Sequence, residues 1–170
     1  DRVLFYQNTQ DLSFSLINYV EVGDYPRNLI SGDFDLDGDT DLAVSNNNAH
    51  SVSILNNNNS VFTEVSRIEV GSYPNDLSTP TAVKTGDLDG DGYLDLVVAN
   101  NGSSSLSILK NTHDGNFVFQ NYFETGPRPD ELIVDDLDGD FDLDIAIVNW
   151  NSDDINIFLN IGDFEFLCSD

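Results

Sequence analysis

Apolar and polar positions alternate along this chain in short runs, and the runs come in matched sets. One set is Leu42-Ala43-Val44, Leu96-Val97-Val98 and Ile145-Ala146-Ile147. A second is Ser51-Val52-Ser53-Ile54-Leu55, Ser105-Leu106-Ser107-Ile108-Leu109 and Asp154-Ile155-Asn156-Ile157-Phe158. A third, more aromatic set includes Phe117-Val118-Phe119 and Phe164-Glu165-Phe166, and a short segment precedes each first run (Asn28 to Ser31, Ala82 to Thr85, Glu131 to Val134). Period-two alternation broken by Gly, Asn and Asp predicts strands rather than helices, four to a unit.

Between the leading segment and the first run, every unit carries a ladder of aspartates. The ladders are Asp33-Phe-Asp35-Leu-Asp37-Gly-Asp39-Thr-Asp41, Asp87-Leu-Asp89-Gly-Asp91-Gly-Tyr93-Leu-Asp95 and Asp136-Leu-Asp138-Gly-Asp140-Phe-Asp142-Leu-Asp144. Their first aspartates are 54 and 49 residues apart. Val22-Gly23-Asp-Tyr25-Pro26, Val70-Gly71-Ser-Tyr73-Pro74 and Thr125-Gly126-Pro-Arg128-Pro129 stand upstream, and an insertion around Ser78-Thr79-Pro80 lengthens the second approach. A four-stranded unit recurring near every 50 residues predicts an all-β fold of antiparallel β-propeller blades. Residues 1–22 read as the outer half of one blade, with strands at Arg2 to Phe5 and Phe14 to Val22. Residues 23–70, 71–124 and 125–170 read as whole blades. About three and a half blades do not close a ring of four to eight. The expectation is a fragment of a longer propeller, or a unit that closes by self-association.

Charge sharpens the reading. The formal net charge is −25, with six Lys plus Arg, and nearly half of the 31 acidic residues sit in the ladders. Two like charges about 4 Å apart repel by roughly 4 kcal/mol at an effective dielectric near 20, so such loops call for a cation. Hard oxygen donors in a flexible loop suit Ca²⁺, up to three ions here, better than Mg²⁺. An EF-hand needs an acidic residue at loop position 12 and a flanking helix, whereas this chain has Val44, Val98 and Ile147 there. The acidity disfavours nucleic acid and anionic membranes as partners, and no apolar run is long enough to span a bilayer. Cys168 is the single cysteine, so no intrachain disulfide is available. His50 and His113 read as surface residues. Millimolar calcium is an extracellular condition, which points to a secreted or cell-surface protein.

The stretch Gly86-Asp87-Leu-Asp89-Gly-Asp91-Gly92-Tyr93-Leu-Asp95-Leu-Val-Val-Ala-Asn100 resembles the FG-GAP/VCBS repeat, the blade type of the integrin α-subunit propeller and of many bacterial secreted proteins. That resemblance implies metal coordination by the side chains of Asp33, Asp35, Asp37 and Asp41 with the carbonyl of Asp39. In the second unit it implies Asp87, Asp89, Asp91 and Asp95 with the carbonyl of Tyr93, and in the third Asp136, Asp138, Asp140 and Asp144 with the carbonyl of Asp142. Two departures stand out. Phe141 replaces a position-6 glycine, at a cost of roughly 1–2 kcal/mol if a left-handed backbone is required, and Leu36 replaces a position-4 glycine. By pattern the second site ranks strongest and the third weakest.

The implied function is a non-enzymatic, calcium-stabilised module for extracellular adhesion or recognition of a protein or glycan. The alternative is the propeller portion of a secreted polysaccharide-degrading enzyme. A partner face is expected opposite the ladders, where Tyr25, Arg27, Tyr73, Arg128 and the sole tryptophan, Trp150, gather.

Overall fold

A computed structural model of the protein describes residues 1–9, 11–71 and 79–169. Tyr73 and Ser78, at the start of the insertion, lie outside the described residues. The chain is all-β. Strands β1 (Arg2–Asn8) and β2 (Phe14–Glu21) pair as an antiparallel hairpin. The first full blade is β3 (Pro26–Gly32), β4 (Asp41–Asn46), β5 (Ser51–Asn58) and β6 (Val61–Glu69), hydrogen-bonded in that order. The second is β7 (Pro80–Gly86), β8 (Asp95–Asn100), β9 (Ser105–Asn111) and β10 (Phe117–Glu124). The third is β11 (Pro129–Asp135), β12 (Asp144–Asn149), β13 (Asp154–Asn160) and β14 (Phe166–Ser169). Leading strands begin at their prolines, earlier than the apolar pattern suggests, because proline suits a strand's first residue. Every within-blade pairing is antiparallel. Among the described residues no helix is long and apolar enough to cross a membrane.

The core lies between blades, not within one. Leu96 and Val98 of β8 pack with Ala43, Ile54 and Phe34 of the first blade, while Val97 and Ala99 pack with Ile145, Ile147 and Leu132 of the third. A strand covered on both faces has no polar side to show, and all six residues of β8 are buried. Val3 and Val20 of the hairpin cover Val44 and Leu55. The far face of the third blade is bare. Ile155 is 57% exposed, whereas the matching Leu106 and Val52 are fully buried.

One strand differs from the pattern. Phe164 is not part of β14; it sits in the preceding turn at φ 60°, after Gly162 and Asp163, which are also left-handed. That turn drops the ring into the core cluster that also holds Leu88, and one blade earlier Phe117 meets Phe34 at a centroid distance of 5.3 Å. The aromatic residue was legible, but its service as a plug rather than a strand residue was not.

Gly23 and Gly126 recur for a steric reason. A Cβ at either would lie within 2.7 Å of the side chain of Asn46 or Asn149, the last residue of the blade's second strand. The leading strands β3, β7 and β11 lie together at the inner rim, tied by Lys84–Glu131 at 2.7 Å and by Arg27–Asp130 at 3.5 Å.

Candidate metal centres

Each ladder folds as a staircase of side-chain acceptors and backbone donors, for aspartate readily accepts from an N–H two or more residues on. The position-1 carboxylate accepts the N–H of position 6: Gly38 to Asp33 at 3.1 Å, Gly92 to Asp87 at 2.9 Å and Phe141 to Asp136 at 3.1 Å. Position 3 accepts from position 5, and position 5 from position 7, in all three loops. Alternate side chains thereby turn inward. Carboxylate oxygens of Asp33, Asp35 and Asp37 lie within 4.8 Å of one another, as do those of Asp87, Asp89 and Asp95, and of Asp136, Asp138 and Asp144.

Not every ladder residue joins these triples. Asp41, Asp91 and Asp140 stand beside them, and Asp39 accepts the backbone N–H of Asn59 at 2.7 Å. Asp142 is exposed and Tyr93 half-buried. The last aspartate of each ladder is a buried pin. Asp41 accepts from the backbone N–H groups of Phe34 and Asn57, Asp95 from Leu88 and Asn111, and Asp144 from Leu137 and Asn160.

The donor set fits a hard cation. It is all oxygen, and in the first loop the buried Asp33 Oδ1 has no hydrogen-bond partner among the described residues. The protonation balance agrees. Burial pushes the Asp95 carboxyl up to about 6, with help from the charges of Asp89 and Asp91 and against its two backbone hydrogen bonds. Burial likewise raises Asp41, and desolvation together with Asp140, Asp144 and Asp136 raises Asp138. Asp91 goes the other way. Desolvation is outweighed there by hydrogen bonds from His113, the Tyr93 backbone and Lys110, and the group falls to about 2.

Loop conformation separates the three sites. Positions 4 and 6 are left-handed in all: Leu36 (φ 58°) and Gly38 (93°), Gly90 (74°) and Gly92 (91°), Gly139 (89°) and Phe141 (79°). No atom outside the immediate chain neighbours comes within 4 Å of a Cβ built on any of these four glycines, so the demand there is conformational, not steric. Phe141→Gly is therefore expected to stabilise the protein by about 1 kcal/mol, measured by urea unfolding in chelator.

The profile of the FG-GAP-like repeat matches residues 33–98 and 87–147, so each match spans two consecutive ladders. The chain belongs to the FG-GAP-like repeat family. Similar solved structures include a Lactobacillus plantarum protein from a structural genomics programme (TM-score 0.76, 22% identity, covering 98% of this chain and 48% of that one). A candidate 6-phosphogluconolactonase from Bacteroides fragilis gives 0.69 at 15% identity, covering 99% and 49%. An Agrocybe aegerita lectin specific for non-reducing terminal N-acetylglucosamine gives 0.55 at 20% identity, covering 99% and 46%. At these identities the likeness shows the fold, and this chain spans about half the length of each. No match was found among curated proteins.

Within these FG-GAP-like repeats, Asn57, Asn111 and Asn160 tie the ladders together. Asn111 donates its amide to the Leu94 carbonyl of its own loop at 3.1 Å and to the Phe34 carbonyl of the preceding loop at 2.8 Å. Asn160 does the same to Leu143 and Leu88. Asn57 bonds the Thr40 carbonyl of its own loop. An asparagine sixteen residues after each ladder's last aspartate is a repeating signal in the sequence, but the apolar pattern passes over it. His113 is a surface residue, yet it reaches the second loop: its Nε2 lies 2.8 Å from Asp91 and its ring stacks on Tyr93.

On the opposite rim, the Arg128 guanidinium lies over the Trp150 ring at 5.1 Å, and the Trp150 backbone N–H donates to the Arg128 carbonyl. A groove of about 430 Å³ runs beside them, lined by Asp130, Val148, Asp153 and Ile155. Tyr25 is exposed, and its carbonyl accepts from Asn47; Arg27 pairs with Asp130. Trp150 takes the place of Asn47 and Asn101, whose amides donate to the carbonyl of the proline that opens the next blade's leading strand, Pro80 and Pro129.

Proposed function

We propose that this chain is a non-enzymatic, calcium-stabilised propeller module for extracellular recognition of a protein or glycan. The observation that carries the calcium half is the convergence of three carboxylate triples, each on a loop that joins the two innermost strands of a blade. Asp33, Asp35 and Asp37 would hold the first ion, Asp87, Asp89 and Asp95 the second, and Asp136, Asp138 and Asp144 the third. Bound calcium neutralises the ladder and holds its staircase, so that binding free energy becomes folding free energy. Any catalysis associated with a longer propeller would use groups outside these loops, as in a polysaccharide-degrading enzyme.

The recognition half draws on the exposed Trp150–Arg128 pair beside its groove. Stacked aromatic and guanidinium planes suit the faces of sugars and peptide side chains. The lectin among the structural relatives makes terminal N-acetylglucosamine a sensible first ligand to offer. Calcium titration calorimetry on stripped protein should show heat of binding, and silence there would remove the calcium half. A glycan array probed with the loaded protein should then give signals that Trp150→Ala weakens about tenfold or more, the scale of a hot-spot truncation. Signals indifferent to that substitution would move recognition off this face.

A further inference from the structure

We propose that Lys110 is a built-in counter-cation of the second ladder, so that part of this loop's charge is offset from within and the loop is the last of the three to take Ca²⁺. The inference rests on the reading of the ladders as calcium sites, and it reverses the order that the ladder pattern alone suggests.

One position recurs on the third strand of each blade. Asn56, Lys110 and Leu159 are equivalent, each following a residue paired with the first apolar residue after the ladder: Leu55 with Leu42, Leu109 with Leu96, and Phe158 with Ile145. In the first blade the Asn56 amide donates to Asp35 Oδ2 at 2.8 Å, a neutral contact that leaves the loop's charge unchanged. In the third blade leucine offers nothing polar. In the second, the Lys110 ammonium bonds Asp89 Oδ2 and lies 3.2 Å from Asp91 Oδ2.

Asp89 belongs to the carboxylate triple of that loop, and its side chain is only 8% exposed. The lysine therefore sits on a carboxylate that the metal needs, in a place where water does little to screen the competition. Its ammonium also lies 5.1 Å from the centre of the Phe164 ring, so the next blade helps hold it there. Calcium entering the second loop must displace the ammonium or accept a positive neighbour. The first loop offers the contrary situation, for the buried Asp33 Oδ1 has no partner among the described residues. A middle loop with its own counter-cation also has a structural use. The middle blade is covered on both faces, and its Asn111 bonds the first ladder's loop, so its order need not wait for metal.

The test is calcium titration calorimetry on the whole chain, wild type against Lys110→Asn, which installs the first blade's residue, and Lys110→Gln. Terbium luminescence excited through tyrosine adds a local readout, because Tyr93 is the only aromatic donor of that kind within any ladder. The wild type is expected to bind two ions with a third weaker by about tenfold or more, the scale set by losing a partly buried ion pair. Either variant should raise the third affinity by a similar factor and brighten the tyrosine-sensitised signal, and Asp89→Asn added to it should abolish the gain. Three wild-type sites of equal strength, or two tight sites that neither variant supplements, would overturn the inference while leaving calcium binding intact. Absence of binding in the wild type and both variants would overturn both readings. A site that appears only in the variants would support Lys110's role and remove the calcium assignment of the other loops. Circular dichroism of each variant checks that the fold is kept.

Discussion

Stripping calcium with a chelator is expected to lower the melting temperature of this protein by roughly 10–20 °C. Mass action sets the size of the effect. A site held at about 100 times its dissociation constant contributes about 2.7 kcal/mol, and two such sites about 5 kcal/mol. In a domain of this size each kcal/mol shifts the midpoint by about 2–4 °C. The architecture makes the effect global. Each ladder joins the two innermost strands of its blade, and Asn111 and Asn160 clamp the second and third loops to the one before. A loop that loses its order to carboxylate repulsion thus loosens a blade-to-blade contact as well. Magnesium at equal concentration should restore much less, because it demands octahedral geometry and sheds water reluctantly. Circular dichroism melts with calcium, magnesium and chelator make the measurement. Coincident curves would mean that the aspartates are solvated turns. Light scattering on the same samples reports whether the bare third-blade face, with Ile155 and Val148 exposed, is covered by a second copy.

The second large effect is expected from Asp95→Ala, at about 4 kcal/mol of destabilisation and with calcium present or absent. Asp95 is fully buried, and its two oxygens receive the backbone N–H groups of Leu88 at 3.1 Å and Asn111 at 2.9 Å. Truncation orphans both donors inside the protein, at about 1–3 kcal/mol each, and leaves a small cavity. A purely metal-binding aspartate would show its effect only in calcium, so the chelated sample discriminates. The pH dependence supplies a second signature. The folded carboxyl sits at about 6, above its ordinary value of 3.8. Between those values the native state holds a proton that the unfolded chain has released, so without metal this group's contribution is lost as pH rises through the window. The full difference is about 3 kcal/mol. The chelated protein is therefore expected to melt higher at pH 4.5 than at pH 7, and Asp95→Ala to flatten that slope. Burial raises Asp41 in the same sense, so some slope remains. Asp91, held near 2, titrates below the window. An unchanged slope in the variant would show that Asp95 is not the group responsible.

Most of the fold was legible because a propeller blade is a local object. Its strands alternate, its turns carry Gly, Asn and Asp, and its ladder joins neighbouring strands, so sequence spacing reports spatial spacing. The ladder residues were equally plain, since nine consecutive positions hold four or five aspartates. The positive φ at Phe141 follows from the same local logic. Phe164 was misplaced because a residue in a tight turn and one in a strand look alike when both are aromatic.

The sequence by itself thus determined the all-β repeat, the blade period, the three acidic loops and the strain at Phe141, since each depends on residues close together in the chain. Only the tertiary structure decided which aspartates converge and which pin the backbone. It also showed that Asn111 and Asn160 stitch one loop to the previous one, and that Lys110 lands on Asp89. Those facts join residues from different strands or different blades. Side-chain direction across a paired sheet sets them, and no run of adjacent letters carries that information.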